Sequence, residues 1–255
     1  MGLHDGTVAV ITGGAQGLGR AVAERLVAEG CARVVISGRD AAKGARAAAE
    51  IGAQFVAAEI GDVAQVRGLI AAAEARFGRV TALVNAAAVT DRASVLDCTP
   101  EEWDRQFAVN ARGPFFAIQA VAQAAVAAGQ GASIVNILSM SAHCGQSFLA
   151  PYSASKAALM NVTKNAANAL RKSRIRVNGI NAGWMDTPGE NAIQRKWHGA
   201  GDDWLAKAEA GQPFGSLVKP DHVAGLVSYL LSDASGVVTG SIVDFDQNVA
   251  GSFPE

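Results

Sequence analysis

Thr12-Gly-Gly-Ala-Gln-Gly-Leu-Gly19 decides how this chain reads. It follows a short apolar run at residues 7–12 and opens an amphipathic segment at 18–29. Glycines permit a tight turn there and let the backbone approach a pyrophosphate, which the positive end of the following helix stabilises. A bare glycine cluster serves equally well as a structural turn. Placed between a strand and a helix, it points to dinucleotide binding. Gly13, Gln16, Gly17, Leu18 and Gly19 are the residues expected to hold the phosphates.

The same strand–helix rhythm runs outward from this loop. Apolar, β-branched runs at 7–12, 33–37, 54–59, 82–85, 133–138, 176–180 and 241–245 predict strands. Ala-rich amphipathic stretches at 18–29, 41–51, 63–77, 101–128, 153–170 and 221–231 predict helices. Strands without polar alternation, each followed by a helix, imply a parallel sheet covered on both faces. The fold class is therefore α/β, a single doubly wound Rossmann-type domain over 1–255 with a seven-stranded parallel sheet. Residues 185–215 break the rhythm, turning polar and carrying Trp197, His198 and Trp204. They follow the end of a strand, where ligands bind in open α/β sheets, and so read as a substrate lid.

Composition narrows the possible partners. The 255 residues are 50% hydrophobic with a net charge of -1, acids and bases interspersed, so neither nucleic acid nor a membrane surface is an expected partner. Cys31, Cys98 and Cys144 are an odd count without metal-like spacing and read as free thiols. His143 and His198 have no acid at ligand spacing, so no metal is expected. The first six residues lack the basic and apolar regions of a signal peptide, and no stretch is apolar enough to span a bilayer. The expected location is the cytoplasm.

Two further stretches carry chemistry. In Pro151-Tyr-Ser-Ala-Ser-Lys156, Tyr152 and Lys156 stand four residues apart at the start of a helical pattern, one turn apart on one face. A lysine ammonium beside a phenol favours the phenolate and can lower a pKa that ordinarily sits near ~10, giving an acid/base pair for alcohol–ketone chemistry. Cofactor choice should be read about 20 residues beyond the glycine loop. The sequence there is Ile36-Ser-Gly-Arg-Asp40: Gly38 occupies the place of an NAD-selecting acid, and Arg39 can pair with a 2′-phosphate. NADP is favoured over NAD, with Asp40 and the uncharged Gln16 arguing the other way.

These motifs, in this order, resemble the short-chain dehydrogenase/reductase family in its single-domain subgroup, along nearly the whole chain. The glycine motif matches in spacing, and Asn85-Ala-Ala-Ala88 stands in place of the family's Asn-Asn-Ala-Gly. Asn110 in Val109-Asn-Ala-Arg-Gly113 matches the family's helix asparagine, and Ser139 lies 13 residues before Tyr152, where the catalytic serine is expected. The resemblance implies a catalytic set of Asn110, Ser139, Tyr152 and Lys156. It implies cofactor contacts from Asn85, Ala86, Glu59, Ile60, Tyr152, Lys156 and Thr187. Departures are Ala86 and Ala88 for Asn and Gly, Ala182 for proline in Asn181-Ala-Gly183, and Glu59-Ile60 for Asp-Val.

By that resemblance Tyr152 accepts the alcohol proton in the oxidation direction, Lys156 lowers the phenol pKa and holds the nicotinamide ribose, Ser139 steadies the substrate oxygen, and Asn110 holds a water in the proton path. Ser141 is the competing serine. The expected activity is NAD(P)-dependent interconversion of a secondary alcohol and a ketone, or of a sugar hemiacetal and a lactone. Enoyl-reductase relatives separate tyrosine and lysine by more residues, which sets that chemistry aside. His143, Gln146, Trp184 and Trp197 are the substrate candidates; a mixture of polar groups and indoles suits a sugar, polyol or other small hydroxylated compound. The alternatives are a ketoreductase of apolar or acyl substrates and a non-catalytic cofactor-binding regulator. Relatives suggest a homotetramer packed through Ala-rich helices, with the tail after Gly251 reaching a neighbouring pocket.

Overall fold

The computed structural model describes residues 2–252, and the tail residues 253–255 lie outside them. The apolar runs form β1 (Val8–Thr12), β2 (Arg33–Gly38), β3 (Gln54–Ala57), β4 (Ala82–Asn85), β5 (Ala132–Ser139), β6 (Ile175–Ala182) and β7 (Ile242–Phe245). All pair in parallel in the order β3-β2-β1-β4-β5-β6-β7. Every residue of β1 and β4 is buried, as strands covered on both faces must be. The strand order reverses between β1 and β4, which opens a crevice at their carboxyl ends.

The helices are α1 (Gly17–Ala28), α2 (Ala41–Ile51), α3 (Val63–Phe77), α4 (Pro100–Phe107), α5 (Gly113–Ala127), α6 (Ala150–Leu170), α7 (Pro188–His198), α8 (Trp204–Ala210) and α9 (Pro220–Leu231). Val22 and Leu26 of α1 meet Val223 and Val227 of α9 in a core on one sheet face. Val66 and Leu69 of α3 meet Ile118 and Val121 of α5 in the core on the other. Helix starts are chemically marked: Asp40, Asp62, Thr99 and Thr187 each accept a backbone N–H of the first turn.

Three local outcomes depart from the sequence reading. The single helix expected at 101–128 is interrupted by a π turn at Ala108–Arg112, where the buried Asn110 is held by another segment. Strand β6 runs on to Ala182, which pairs in register with Phe245, because alanine can continue a ladder that proline interrupts. The polar stretch 185–215 folds into α7 and α8, with Trp204 packed inward at 9% exposure.

Gly113 shows how tightly the π turn is seated: a Cβ there would lie 2.2 Å from the Ile60 carbonyl oxygen. Gly113→Ala should cost about 1–3 kcal/mol, the usual penalty of overpacking. Gly68, in the exposed middle of α3 with nothing within 4 Å of a built Cβ, should instead gain up to about 1 kcal/mol as alanine. Urea unfolding midpoints of the two variants check both signs.

Candidate active site

The crevice at the ends of β1, β2 and β4 is a cleft of about 410 Å³. The glycine loop forms one end of it, with Gly13, Gln16, Gly17, Leu18 and Gly19 all on its wall. Gly13 has φ +69°, and a Cβ on it would lie 2.9 Å from the Ala87 backbone. A Cβ on Gly19 would lie 2.5 Å from the Gly13 carbonyl oxygen. Side chains would fill the cradle that brings these amides within reach of a phosphate. Farther along, Arg39, Glu59, Ile60, Ala86 and Thr187 line the cleft, together with Ser37, whose buried hydroxyl has no protein partner. A backbone cradle and an orphaned hydroxyl in one cleft fit a dinucleotide.

Asn85 is not a wall residue. It is 1% exposed and its amide donates to Asn136 Oδ1 at 2.8 Å, so it braces β4 against β5 from behind the cleft. The loop's approach is set instead by Thr12, whose Oγ1 accepts from the N–H groups of both Ala86 and Ala87 at 3.1 Å. The backbone therefore makes the contact at Ala86, and the substitution of the family's asparagine leaves the turn intact.

At the far end Arg39 is 68% exposed and lies 3.7 Å from Glu59. Asp40 has its carboxylate turned into the helix, accepting from the Lys43 N–H at 2.9 Å. Lys43 is the second basic residue of this edge; it lines the cleft and its ammonium donates to Gln16 Oε1. Lys43 was legible only as the third residue of a predicted helix, one turn from Asp40 in space.

Helix α6 sets Tyr152 and Lys156 on one face, with the lysine Nζ 5.8 Å from the centroid of the phenol ring. Lys156 donates to the Ile137 carbonyl at 2.8 Å. Burial pushes its amine down to about 8. Tyr152 moves the other way: burial raises the phenol pKa, the Ser139 hydroxyl draws it back, Glu190 raises it and Arg92 lowers it. The expected lowering of the phenol by Lys156 is thus not what this arrangement gives. The ammonium is turned to a carbonyl, and both groups leave water, where each charged form is disfavoured. Ser139 ends β5, accepts from the Ser141 N–H at 3.2 Å, and lies 3.0 Å from the Ser141 hydroxyl.

Asn110 sits behind this pair, fully buried. Its Oδ1 accepts from the Val89 N–H at 2.9 Å, and its Nδ2 donates to Val89 O at 2.9 Å and Ser155 Oγ at 3.0 Å. One side chain thereby joins the π turn, the segment after β4 and the catalytic helix.

The remaining wall comes from α7 and two loops. Trp184 Nε1 donates to Glu190 Oε1 at 2.8 Å, as does Gln194 Nε2 at 2.7 Å. Trp197 follows seven residues after Glu190, beneath Lys196 Nζ at 4.5 Å from its ring centroid. His143 is drawn elsewhere: it lies 2.8 Å from Asp244 Oδ1 and 2.8 Å from Asn181 Nδ2, tying the loop after β5 to β6 and β7. Gln146 is exposed, and its backbone carbonyl accepts from Leu149 N. Among the described residues neither His143 nor Gln146 shares a hydrogen bond with Tyr152. Arg92, absent from the sequence reading, is among the charges that act on the phenol, and it packs over Phe148. Their one signal was position, in loops at the carboxyl ends of β4 and β5.

The family model described as enoyl-(acyl carrier protein) reductase matches residues 13–247. A solved structure named as a short chain dehydrogenase/reductase family protein superposes with a TM-score of 0.84 at 35% identity, covering 96% of this chain and 97% of that one. The chain belongs to the short-chain dehydrogenase/reductase family. Among relatives of this family, galactitol 2-dehydrogenase of Agrobacterium fabrum is 35% identical over 246 residues, 94% of this chain and 95% of its own length. The NADP-dependent (R)-specific alcohol dehydrogenase of Lentilactobacillus kefiri is 36% identical over 242 residues, 92% and 93% of the two chains. The protein is an NAD(P)-dependent oxidoreductase acting on CH–OH groups, interconverting a secondary alcohol and a ketone. No helix among the described residues is long and apolar enough to cross a membrane.

Asn110→Ala should leave the Val89 N–H and carbonyl buried without partners, at a cost of about 1–3 kcal/mol. Because Val89 lines the cleft, dinucleotide affinity should fall as well. Unfolding midpoints and a cofactor fluorescence titration measure the two effects.

Proposed function

We propose that Tyr152 is the acid/base of an NADP-preferring dehydrogenase whose substrate is a sugar, polyol or other small hydroxylated compound. The observation that carries this reading is that Ser139 acts on the Tyr152 phenol beside Lys156, on a helix that Asn110 ties to Val89 of the cleft wall. A nicotinamide held in that cleft supplies the hydride acceptor or donor. Tyr152 Oη takes the alcohol proton in oxidation and returns it in reduction. Ser139 Oγ orients the substrate oxygen and stabilises charge growing on it. Lys156, with a pKa of about 8, is mainly an ammonium at neutral pH and, beyond the donor it gives Ile137, has donors for the nicotinamide ribose. Asn110 positions the segment after β4 and, with its backbone in a π turn, borders the path by which the proton reaches solvent.

Support for NADP comes from Arg39 and Lys43 on one edge of the cleft, with Asp40 committed to the helix cap and so withdrawn from the ribose. The kefiri relative, named as NADP-dependent, agrees. Support for a hydroxylated substrate comes from Glu190, which acts on the phenol and is held by Gln194 and Trp184, and from a relative named for galactitol. Residues 185–215, now seen as α7 and α8, serve as the lid of a single 255-residue domain. A homotetramer is favoured by an apolar groove of about 750 Å³ between α5 and α6, where Phe115 and Val126 are about half exposed. Cytoplasmic residence is consistent with free Cys31, Cys98 and Cys144.

Tyr152→Phe should lower turnover about 10²–10⁴-fold on a panel of polyols and secondary alcohols, with cofactor still bound. Survival of near-native turnover would remove Tyr152 from the reaction. Because burial raises the phenol pKa, Tyr152 is an acid at neutral pH. Oxidation should therefore climb, and reduction fall, as pH rises towards and past the ordinary tyrosine value near ~10. Paired Arg39→Ser and Lys43→Ala substitutions should reduce kcat/KM for NADP at least about tenfold and that for NAD much less, the signature of a lost phosphate contact.

A further inference from the structure

We propose that Arg92 is the anion-recognition residue of the substrate site, so that the alcohol taken by this enzyme carries a carboxylate or phosphate group. This rests on the dehydrogenase reading above and narrows its substrate class.

Arg92 is built into its place. The next residue, Ala93, forms a backbone bridge with the segment before α6: Ala93 N–H donates to Phe148 O at 3.0 Å, and Ala150 N–H donates to Ala93 O at 3.0 Å. Tyr152 begins the face of α6 just beyond that bridge. The guanidinium packs 5.4 Å over the Phe148 ring, donates from Nη1 to Thr90 O at 3.0 Å, and directs Nε to His198 Nε2 of α7 at 3.3 Å. Its Nη2 has no partner among the described residues.

Its charge is left uncompensated. Among the described residues no carboxylate lies within 4.0 Å of Arg92, although Arg105 and Lys196 close by each have one. The adjacent Asp91 is taken by Arg105 and by Lys196 at 3.3 Å. Glu190 acts on Arg92 from α7, but its Oε1 already accepts from both Trp184 and Gln194. Asp91 also acts on the guanidinium at longer range, so it feels two carboxylates and touches neither. Burial lowers the pKa of the guanidinium, as expected where water has been removed and no anion has replaced it. A planar fork with a free edge, half-buried on an aromatic ring beside the proton-transfer site, matches a carboxylate or phosphate in two parallel bonds. A neutral hydroxyl would meet only one of its donors and leave the charge unmatched.

The test compares matched substrates on the cofactor-saturated enzyme: hydroxy acids against their primary amides, and polyol phosphates against the parent polyols. The native enzyme should favour the anionic member by about tenfold or more in kcat/KM, the scale of one charge-assisted contact. Arg92→Gln should bring that ratio close to one, and Arg92→Lys should retain part of it. Preference confined to the acid–amide pairs assigns a carboxylate; preference confined to the phosphate pairs assigns a phosphate. A native ratio near one, or equal loss on both members in Arg92→Gln, overturns the assignment and leaves Arg92 as a brace for His198. Calorimetry with cyclohexanecarboxylate and cyclohexyl phosphate, which offer no alcohol to oxidise, separates this inference from the reaction itself. Arg92-dependent binding without turnover of any alcohol would keep the anion site and sink the dehydrogenase reading. Turnover of neutral alcohols without Arg92-dependent anion binding would do the reverse.

Discussion

A chain of buried polar contacts across the strand-order reversal holds the site together. Thr12 Oγ1, at the end of β1, takes the N–H groups of Ala86 and Ala87 beyond β4. Asn85 donates to Asn136 on β5, and Asn136 donates to Thr163 on α6 at 2.8 Å. Lys156 on the same helix returns to the Ile137 carbonyl of β5. Each of these donors would be costly to bury alone and is cheap once paired. The glycine loop and the helix bearing Tyr152 are therefore parts of one rigid frame.

The π turn at Ala108–Arg112 is the second constraint on that frame. A regular helix from 100 to 127 would carry Asn110 past Val89; the wider turn lets its side chain grip that residue's N–H and carbonyl together. Gly113, against Ile60, is the close approach that makes the irregular turn possible. An interruption in a helix here does local work, tying the cofactor cleft to the catalytic helix through Ser155.

Electrostatics at the phenol follow from burial more than from any one neighbour. Tyr152 and Lys156 are both shifted towards their neutral forms, and Ser139, Glu190 and Arg92 adjust the balance. The α7 side chains that modulate it are themselves held in a set, with Glu190 shared by Trp184 and Gln194 and Asn191 accepting from Trp204 Nε1 at 2.8 Å. Movement of α7 would shift Glu190 and His198 together, so the seat of Arg92 and the phenol's proton affinity are coupled through one helix.

The amino-acid sequence by itself determined the doubly wound sheet, the phosphate loop and the Tyr152/Lys156 pair, because each depends on periodicity or on spacing within one element. Strand runs, helix caps and the four-residue step on α6 are local properties, and local physics sets them. Only the tertiary structure decided the residues that act by meeting across elements. It turned Asn85 away from the cleft into a brace, sent His143 to Asp244, and brought Lys43 to Gln16 of the glycine loop. It also placed Arg92 next to a phenol sixty residues away in sequence. No spacing rule reaches such pairs, since their distance is set by the backbone bridge between Ala93 and Leu149 and by the packing of α7 over the crevice.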